Sequence, residues 1–247
     1  MLPILLMALL PAPAAHAEGV DRAGVLAWVN GLRIRRGLPQ LGVDPLLEEA
    51  AAAYAADLGR RGVLSHVDER GRRALERVQA AGGTTVLVGE ILGSGAALGS
   101  VTAAWEASTD HREIVLNPLW THCGSAALRY GTTTVWVVLF ASHRIWPLEI
   151  LHCAGGCLIR GRLAAAGAEE PVLLSGIEPV DPLHWDSASG EFSFFVSEDR
   201  EGIYHRLGYR TADGGLIVTN TFYPPEAAKS DSPDSDALTS DREEGCR

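Results

Sequence analysis

Two histidines, a glutamate and a serine lie in short polar segments in the first half of the 247-residue chain. His66 lies in SHVDERG, Glu90 in VGEIL, and Ser108 and His111 in WEASTDHREIVLNP. Imidazole and carboxylate groups transfer protons and bind metals in proteins. Together these segments look like one site that is assembled from distant parts of the chain.

Two serine–histidine pairs raise the possibility of nucleophilic catalysis. Ser65 precedes His66, and Ser108 is one helical step of three residues before His111. Adjacent residues seldom present their side chains to each other, whereas an i,i+3 pair on a helix can touch. The chain has no GxSxG elbow and no HExxH helix, which disfavours a serine hydrolase and a zincin. The alternative for Ser108 is a helix cap or a helix-surface serine.

The order of these motifs carries a family resemblance. They follow the segment WVNGLRIRRGLPQLGVDPLLEEAAAAYAADL and end near Phe140, with Gly124 thirteen residues after His111. This run resembles the bacterial branch of the CAP superfamily, which contains the cysteine-rich secretory proteins, antigen 5 and the pathogenesis-related proteins. The matching positions in the first segment are Asn30, Arg33, Gly37, Leu38, Leu41, Leu47 and Ala50.

The resemblance implies an α-β-α sandwich with an open cleft formed by His66, Glu90 and His111, and we expect Ser108 to line the same cleft. The chain departs from the pattern of many eukaryotic members, which have a second glutamate where Ser108 follows Trp105, and an asparagine where Ile91 follows Glu90. The set that remains, His66, His111 and Glu90, is a weaker metal cage. It still offers the three ligands that a zinc ion with an open position needs, so Zn is the one cofactor that we consider.

The composition limits the choice of partner. The formal charge is −10, the pI is about 5.2, and Lys229 is the single lysine. Nucleic acids and anionic membrane surfaces require clustered cations, so both are disfavoured. The segment Arg33–Arg36 (RIRR) is typical of the solvated face of a helix.

The ends of the chain have characteristic compositions. Residues 1–17 contain an apolar run followed by Ala15-His16-Ala17, which predicts a signal peptide that is cleaved before Glu18, with a retained anchor helix as the alternative. No later segment is long enough to span a bilayer. Residues 226–247 are acidic and predicted to be disordered.

Export would place the protein outside the cell, in the periplasm or in the cell envelope. In such an oxidising compartment the four cysteines, Cys123, Cys153, Cys157 and Cys246, allow two disulfides with three possible pairings.

The hydrophobic periodicity predicts the elements that position the site. Helices are expected around Val25–Leu32, from a cap at Asp44, over Arg72–Ala81 and after a cap at Ser100. Strands are expected at Thr84–Val88, Ala126–Tyr130 and Thr134–Phe140, the last two forming a hairpin across Gly131. Gly93–Gly99 is interpreted as a loop at the rim of the cleft. Trp105 is expected in the core. Arg112 is expected in a salt bridge that holds the site, with contact to an anion in the cleft as the alternative.

The predicted fold class is therefore α+β, with a CAP domain over residues 18–146 and a small all-β domain, a sandwich, over 147–225. The predicted function is non-catalytic binding of a small envelope ligand, which is a lipid, a glycan or a peptide. A zinc-assisted hydrolase and a structural adhesion scaffold are the alternatives. The sequence predicts no oligomeric state.

Overall fold

The computed structural model describes residues 22–153, 155–200 and 202–223. The predicted signal peptide and acidic tail lie outside these residues. The described chain is α+β, as predicted. Its helices are α1 (Arg22–Arg35), α2 (Pro45–Arg61), α3 (Ala74–Ala80), α4 (Leu98–Ala107) and α5 (Thr109–Val115). Its strands are β1 (Gly42–Val43), β2 (Val88–Gly95), β3 (His122–Tyr130), β4 (Thr133–Ala141), β5 (Ile145–Cys153), β6 (Gly156–Leu163), β7 (Ala168–Ser175), β8 (Glu178–Val180), β9 (Pro182–Trp185), β10 (Glu191–Ser197), β11 (His205–Thr211) and β12 (Leu216–Phe222).

These elements divide between two compact units that interleave along the chain. Among the described residues, the first unit contains 22–74, Glu90–Pro118 and Cys123–Leu139. The second contains Leu75–Gly89, Leu119–His122 and 140–223. The predicted domain boundary after Trp146 lies inside β5, and the domain limits stay a prediction.

Helix α2 begins and ends as its sequence predicts. The side chain of Asp44 accepts a hydrogen bond from the amide of Leu46 at 2.9 Å, and Pro45 is the first helical residue. At the other end, Gly62 adopts φ of 68° and its amide donates to the carbonyl of Leu58. Such a left-handed cap costs glycine no steric strain, so the helix ends there.

The first sheet has the strand order β1-β3-β4-β2. The predicted hairpin is β3 and β4, which are joined through Gly131 at φ of 60°. Helix α2 packs closely on β3, because a Cβ atom on Gly124 would lie 2.5 Å from the carbonyl carbon of Leu47. The absence of a side chain at Gly124 therefore permits the helix to approach the strand.

Several local predictions were wrong. The strand expected at Thr84–Val88 begins at Val88 and extends to Gly95, so it includes Gly93–Gly95, the first three residues of the segment interpreted as a loop. Helix α4 starts after Ala97, and Ser100 lies inside it and donates to the carbonyl of Ala97 at 2.7 Å. Helix α5 was not predicted, because its seven residues are too few to show a periodicity.

The RIRR segment is not wholly solvated. Arg33 is fully buried, and its guanidinium donates to the carbonyls of Pro39, Val115 and Asn117 at 2.8–3.0 Å. Burial lowers the pKa of Arg33. Three carbonyl acceptors make the buried group tolerable, because a charge that leaves water needs hydrogen-bond partners. Arg35 and Arg36 are exposed, as predicted.

The chain from β5 onward folds into strands, as predicted. Two four-stranded sheets, with the orders β5-β6-β10-β9 and β12-β11-β7-β8, share one apolar cluster. Alternate residues of β10 (Phe192, Phe194 and Val196) and of β11 (Leu207 and Tyr209) belong to this cluster, the pattern of sheets that pack face to face. Its members are Ile145, Ile159, Leu163, Leu173, Phe192, Phe194, Val196, Leu207, Tyr209 and Phe222.

Among the described residues, no helix has the length and apolar character needed to cross a bilayer.

Cys123 is a buried free thiol, and burial raises its pKa to about 12. It therefore stays protonated and unreactive at neutral pH. With Cys123 free, the two disulfides that four cysteines would allow cannot both form. One disulfide among Cys153, Cys157 and Cys246 stays a prediction, and Cys246 lies outside the described residues.

Candidate functional site

The first unit brings His66 and Glu90 together. His66 lies in the loop between α2 and α3, and Glu90 is the third residue of β2. The imidazole Nδ1 and the carboxylate Oε1 are 2.7 Å apart, within a normal hydrogen bond. The side chain of His66 is 55% exposed, whereas that of Glu90 is 4% exposed. A buried carboxylate thus fixes the orientation of an imidazole that solvent can reach.

Backbone contacts hold the His66 loop in place. The hydroxyl of Tyr54, on α2, donates to the carbonyl of Ser65. The hydroxyl of Ser65 donates to the carbonyl of Val67 at 2.9 Å and accepts from the amide of Val67 at 3.1 Å. The Ser65 hydroxyl therefore serves the turn, which argues against a nucleophilic role beside His66.

A second turn follows in the same loop. The carboxylate of Asp68 accepts from the amides of Arg70 and Arg72 at 2.9 and 2.8 Å, and from Nε of Arg72 at 2.8 Å. Burial alone would raise the pKa of Asp68, but these hydrogen bonds with Arg72 and Arg70 lower it. Asp68 and Tyr54 are positioning residues that sequence reasoning missed. The turn-forming sequence Asp68-Glu69-Arg70-Gly71 could have indicated that the Asp68 carboxylate accepts hydrogen bonds from nearby backbone amides.

Ser108 has a capping role. It ends α4 and precedes α5, with an extended backbone at φ −83° and ψ 127°. Its hydroxyl accepts from the amide of His111 at 3.4 Å. Ser108 is therefore the N-cap residue of α5, which is the helix-cap alternative that the sequence predicted. The observed contact is with the backbone of His111 and not with its ring, so it gives no support to a catalytic serine.

His111 lies in an environment that favours its neutral form. Its Nδ1 is buried and has no hydrogen-bond partner in the structure. Burial lowers the pKa of His111, the charge of His66 lowers it further, and Asp110 opposes both effects. That His66 and His111 belong to one site stays a prediction.

The predicted zinc ligands can be tested against this geometry. Nδ1 of His66 is hydrogen-bonded to Glu90, so two of the three predicted ligands already contact each other. Across residues 22–153, 155–200 and 202–223, no three His, Cys, Asp or Glu side chains are grouped as a metal site. Binding of zinc by His66, His111 and Glu90 stays a prediction.

Helix α4 packs against β2, the strand that carries Glu90. Trp105 is 2% exposed, and its Nε1 donates to the carbonyl of Leu92 at 2.8 Å. This confirms the core role of Trp105. Gly93 makes the approach possible, because a Cβ atom there would lie 2.9 Å from the Trp105 ring.

Among the described residues, Arg112 does not form the salt bridge that we expected. Its guanidinium instead donates to the carbonyl of Glu106 at 2.5 Å and to the hydroxyl of Thr109 at 3.1 Å. Arg112 therefore ties the end of α4 to the start of α5, on either side of Ser108.

Comparison with known proteins identifies the family. The family model described as the cysteine-rich secretory protein family, CAP, matches residues 26–140. An uncharacterized protein of Borreliella burgdorferi is 31% identical over 114 residues, which cover 46% of this chain and 73% of that protein. The chain therefore belongs to the CAP family.

Solved structures of bacterial proteins are also similar. An outer surface protein of Borrelia burgdorferi is 29% identical, with 49% of this chain and 92% of that chain covered and a TM-score of 0.47. An extracellular protein of Bacillus anthracis that contains an SCP domain is 22% identical, with 49% and 39% covered and a TM-score of 0.44. The matched region is about half of the present chain.

Proposed function

We propose that this protein is an exported CAP-domain binding protein whose site takes a small envelope ligand. The observation that carries the proposal is the His66–Glu90 pair, in which a buried carboxylate holds an exposed imidazole at 2.7 Å. Such a pair offers a polar contact with a fixed direction, and fixed polar groups give a binding site its specificity. A lipid, a glycan or a peptide is the proposed ligand class.

The state of the two serines supports binding without catalysis. Ser65 and Ser108 both use their hydroxyl oxygens in short-range contacts with backbone groups. A nucleophilic serine needs its hydroxyl within hydrogen-bond reach of a base. Among the described residues, neither the Ser65 hydroxyl nor the Ser108 hydroxyl forms a hydrogen bond with a histidine ring.

The proposed location outside the cytoplasm has two supports. One is the predicted signal peptide, and the other is that similar structures belong to an outer surface protein and to an extracellular protein. The acidic charge of −10 favours a ligand other than nucleic acid.

Native mass spectrometry of the full-length protein tests the proposal. The wild type is compared with the His66→Ala, His111→Ala double variant and with His184→Ala, which changes an exposed histidine of β9. We expect an organic ligand to remain bound to the wild type and to the His184 variant, and to be absent from the double variant. Equal occupancy of all three proteins, or an empty site in all three, would contradict the proposal.

The same samples distinguish the two alternatives. A bound zinc ion together with turnover that a chelator stops would establish the metal-assisted hydrolase. Replacement of Ser108 by Asp keeps an N-cap oxygen but removes the hydroxyl, so lost turnover in that variant would reveal a serine nucleophile. An adhesion scaffold would show a loss of stability in the double variant with no bound ligand in any sample.

A further inference from the structure

The second unit contains a cavity of about 390 Å³, within the size range of sites that hold small organic ligands. Most of its wall is apolar, with Leu87, Leu119, Ala166, Ile217 and Val218 among the lining residues. Leu87, Leu119 and Ile217 are 38–47% exposed. Apolar side chains that remain this exposed around a concavity mark a place where a ligand would remove them from water.

Hydrogen bonds hold two segments of the wall in place. Alongside β12, the amide of Val86 donates to the carbonyl of Thr219 at 3.2 Å, and the amide of Thr221 donates to the carbonyl of Thr84 at 2.7 Å. Residues 84–86 therefore run beside β12, where Thr85 and Asn220 form an isolated antiparallel bridge. Because the wall is already formed, a ligand would bind without the entropy cost of ordering it.

One cation interrupts the apolar wall. Arg144 lines the cavity, and its Nη2 donates to the carbonyl of Leu119 at 3.4 Å, a long hydrogen bond. In the part of the chain that the structure describes, no carboxylate forms an ion pair with Arg144. The chain has a net charge of −10, so a cation without an acidic partner beside an apolar wall is unusual. Such a cation attracts the anionic group of a ligand.

We propose that this cavity binds a small amphipathic anion, with an apolar body against Leu119 and Ile217 and one acidic group on Arg144. The planar guanidinium suits a carboxylate or a sulfonate, both of which can accept two parallel hydrogen bonds. The site is separate from the His66 site. Eight of its eleven lining residues follow residue 140, where the match to the CAP family ends.

A pair of fluorescent probes tests both parts of the proposal on the full chain. 1-Anilinonaphthalene-8-sulfonate has an apolar body with a sulfonate, and N-phenyl-1-naphthylamine has a closely similar body without a charge. We expect the wild type to bind the anionic probe more tightly. Arg144→Gln should weaken the anionic probe roughly 10-fold or more, since a hydrogen bond between charged groups contributes about 1.5–3 kcal/mol, and should change binding of the neutral probe less than about twofold.

Two further variants locate the binding. Ala166→Trp fills the cavity from an exposed position and should abolish binding of both probes. Arg162→Gln removes an exposed charge of β6 and should leave both affinities unchanged. Retained binding of the neutral probe by Arg144→Gln shows that this variant is folded. Equal affinity of the wild type for the two probes, or undiminished binding by Ala166→Trp, would overturn the proposal.

Discussion

Nδ1 of His66 lies 2.7 Å from Oε1 of Glu90, although the two residues are 24 positions apart and differ sharply in exposure. The carboxylate is supplied by β2, and the imidazole by a loop that Tyr54 and Asp68 hold. The pair is thus supported from both sides before any ligand arrives.

A double-mutant cycle tests whether the His66–Glu90 contact contributes to stability. His66→Ala, Glu90→Ala and the double variant are unfolded with urea, and the changes in the free energy of unfolding are compared. We expect a favourable coupling of about 0.5–1.5 kcal/mol, the usual contribution of one hydrogen bond, toward the lower end because the imidazole is exposed. A coupling of zero within error would show that the contact is not made in solution.

The pKa of His111 should respond in opposite directions to its two charged neighbours. His66→Ala removes a repulsive charge, so it should raise this pKa, whereas Asp110→Asn removes an attractive charge and should lower it. An NMR titration of the imidazole carbon resonances measures both shifts. If His66→Ala leaves the titration unchanged, the two histidines do not share a site.

Acid should destabilise the second unit through His205. Its ring is fully buried against Phe222, and neither ring nitrogen has a hydrogen-bond partner in the structure. Burial lowers the pKa of His205 below its ordinary value of 6.5, and Arg200 lowers it further. The folded protein therefore binds fewer protons than the unfolded chain below pH 6.5, so stability is fully present above that pH and is lost as the pH falls toward the folded pKa.

Thermal unfolding at pH 8 and pH 5 measures this effect. His205→Phe removes the titrating group, so the melting temperature of the variant should fall less between the two pH values than that of the wild type. Each kcal/mol corresponds to roughly 2–4 °C in a protein of this size. His184→Gln, at an exposed position, should behave as the wild type. Parallel pH profiles for all three proteins would contradict the assignment to His205.

Two glycine-to-alanine changes should have opposite effects on stability. A Cβ atom on Gly124 would lie 2.4 Å from the backbone nitrogen of Glu48, and backbone cannot move as a side chain can, so we expect a loss of about 1–3 kcal/mol or more. Gly99 lies in α4 with no atom within 4 Å of an added Cβ, so alanine there should add up to about 1 kcal/mol. Urea unfolding of both variants checks the prediction, which similar values for the two would contradict.

Local sequence signals determined much of the fold. The cap at Asp44, the apolar periodicity of α1 and α2, and the β-branched runs on either side of Gly131 each depend on residues a few positions apart, so the sequence alone indicates the elements. The alternation of strands and turns after Trp146 predicted the second β region for the same reason. The ordered motifs also predicted the CAP family.

Contacts between distant residues were decided only by the tertiary structure. The glycine-rich segment Val88–Gly95 has weak strand propensity, and it is a strand because it pairs with β4 and because Trp105 packs on Gly93. The pairing of His66 with Glu90, the burial of Arg33 and the cavity beside Arg144 each join segments far apart in sequence. Such contacts depend on how elements pack, and hydrophobic periodicity carries no information about which distant groups will meet.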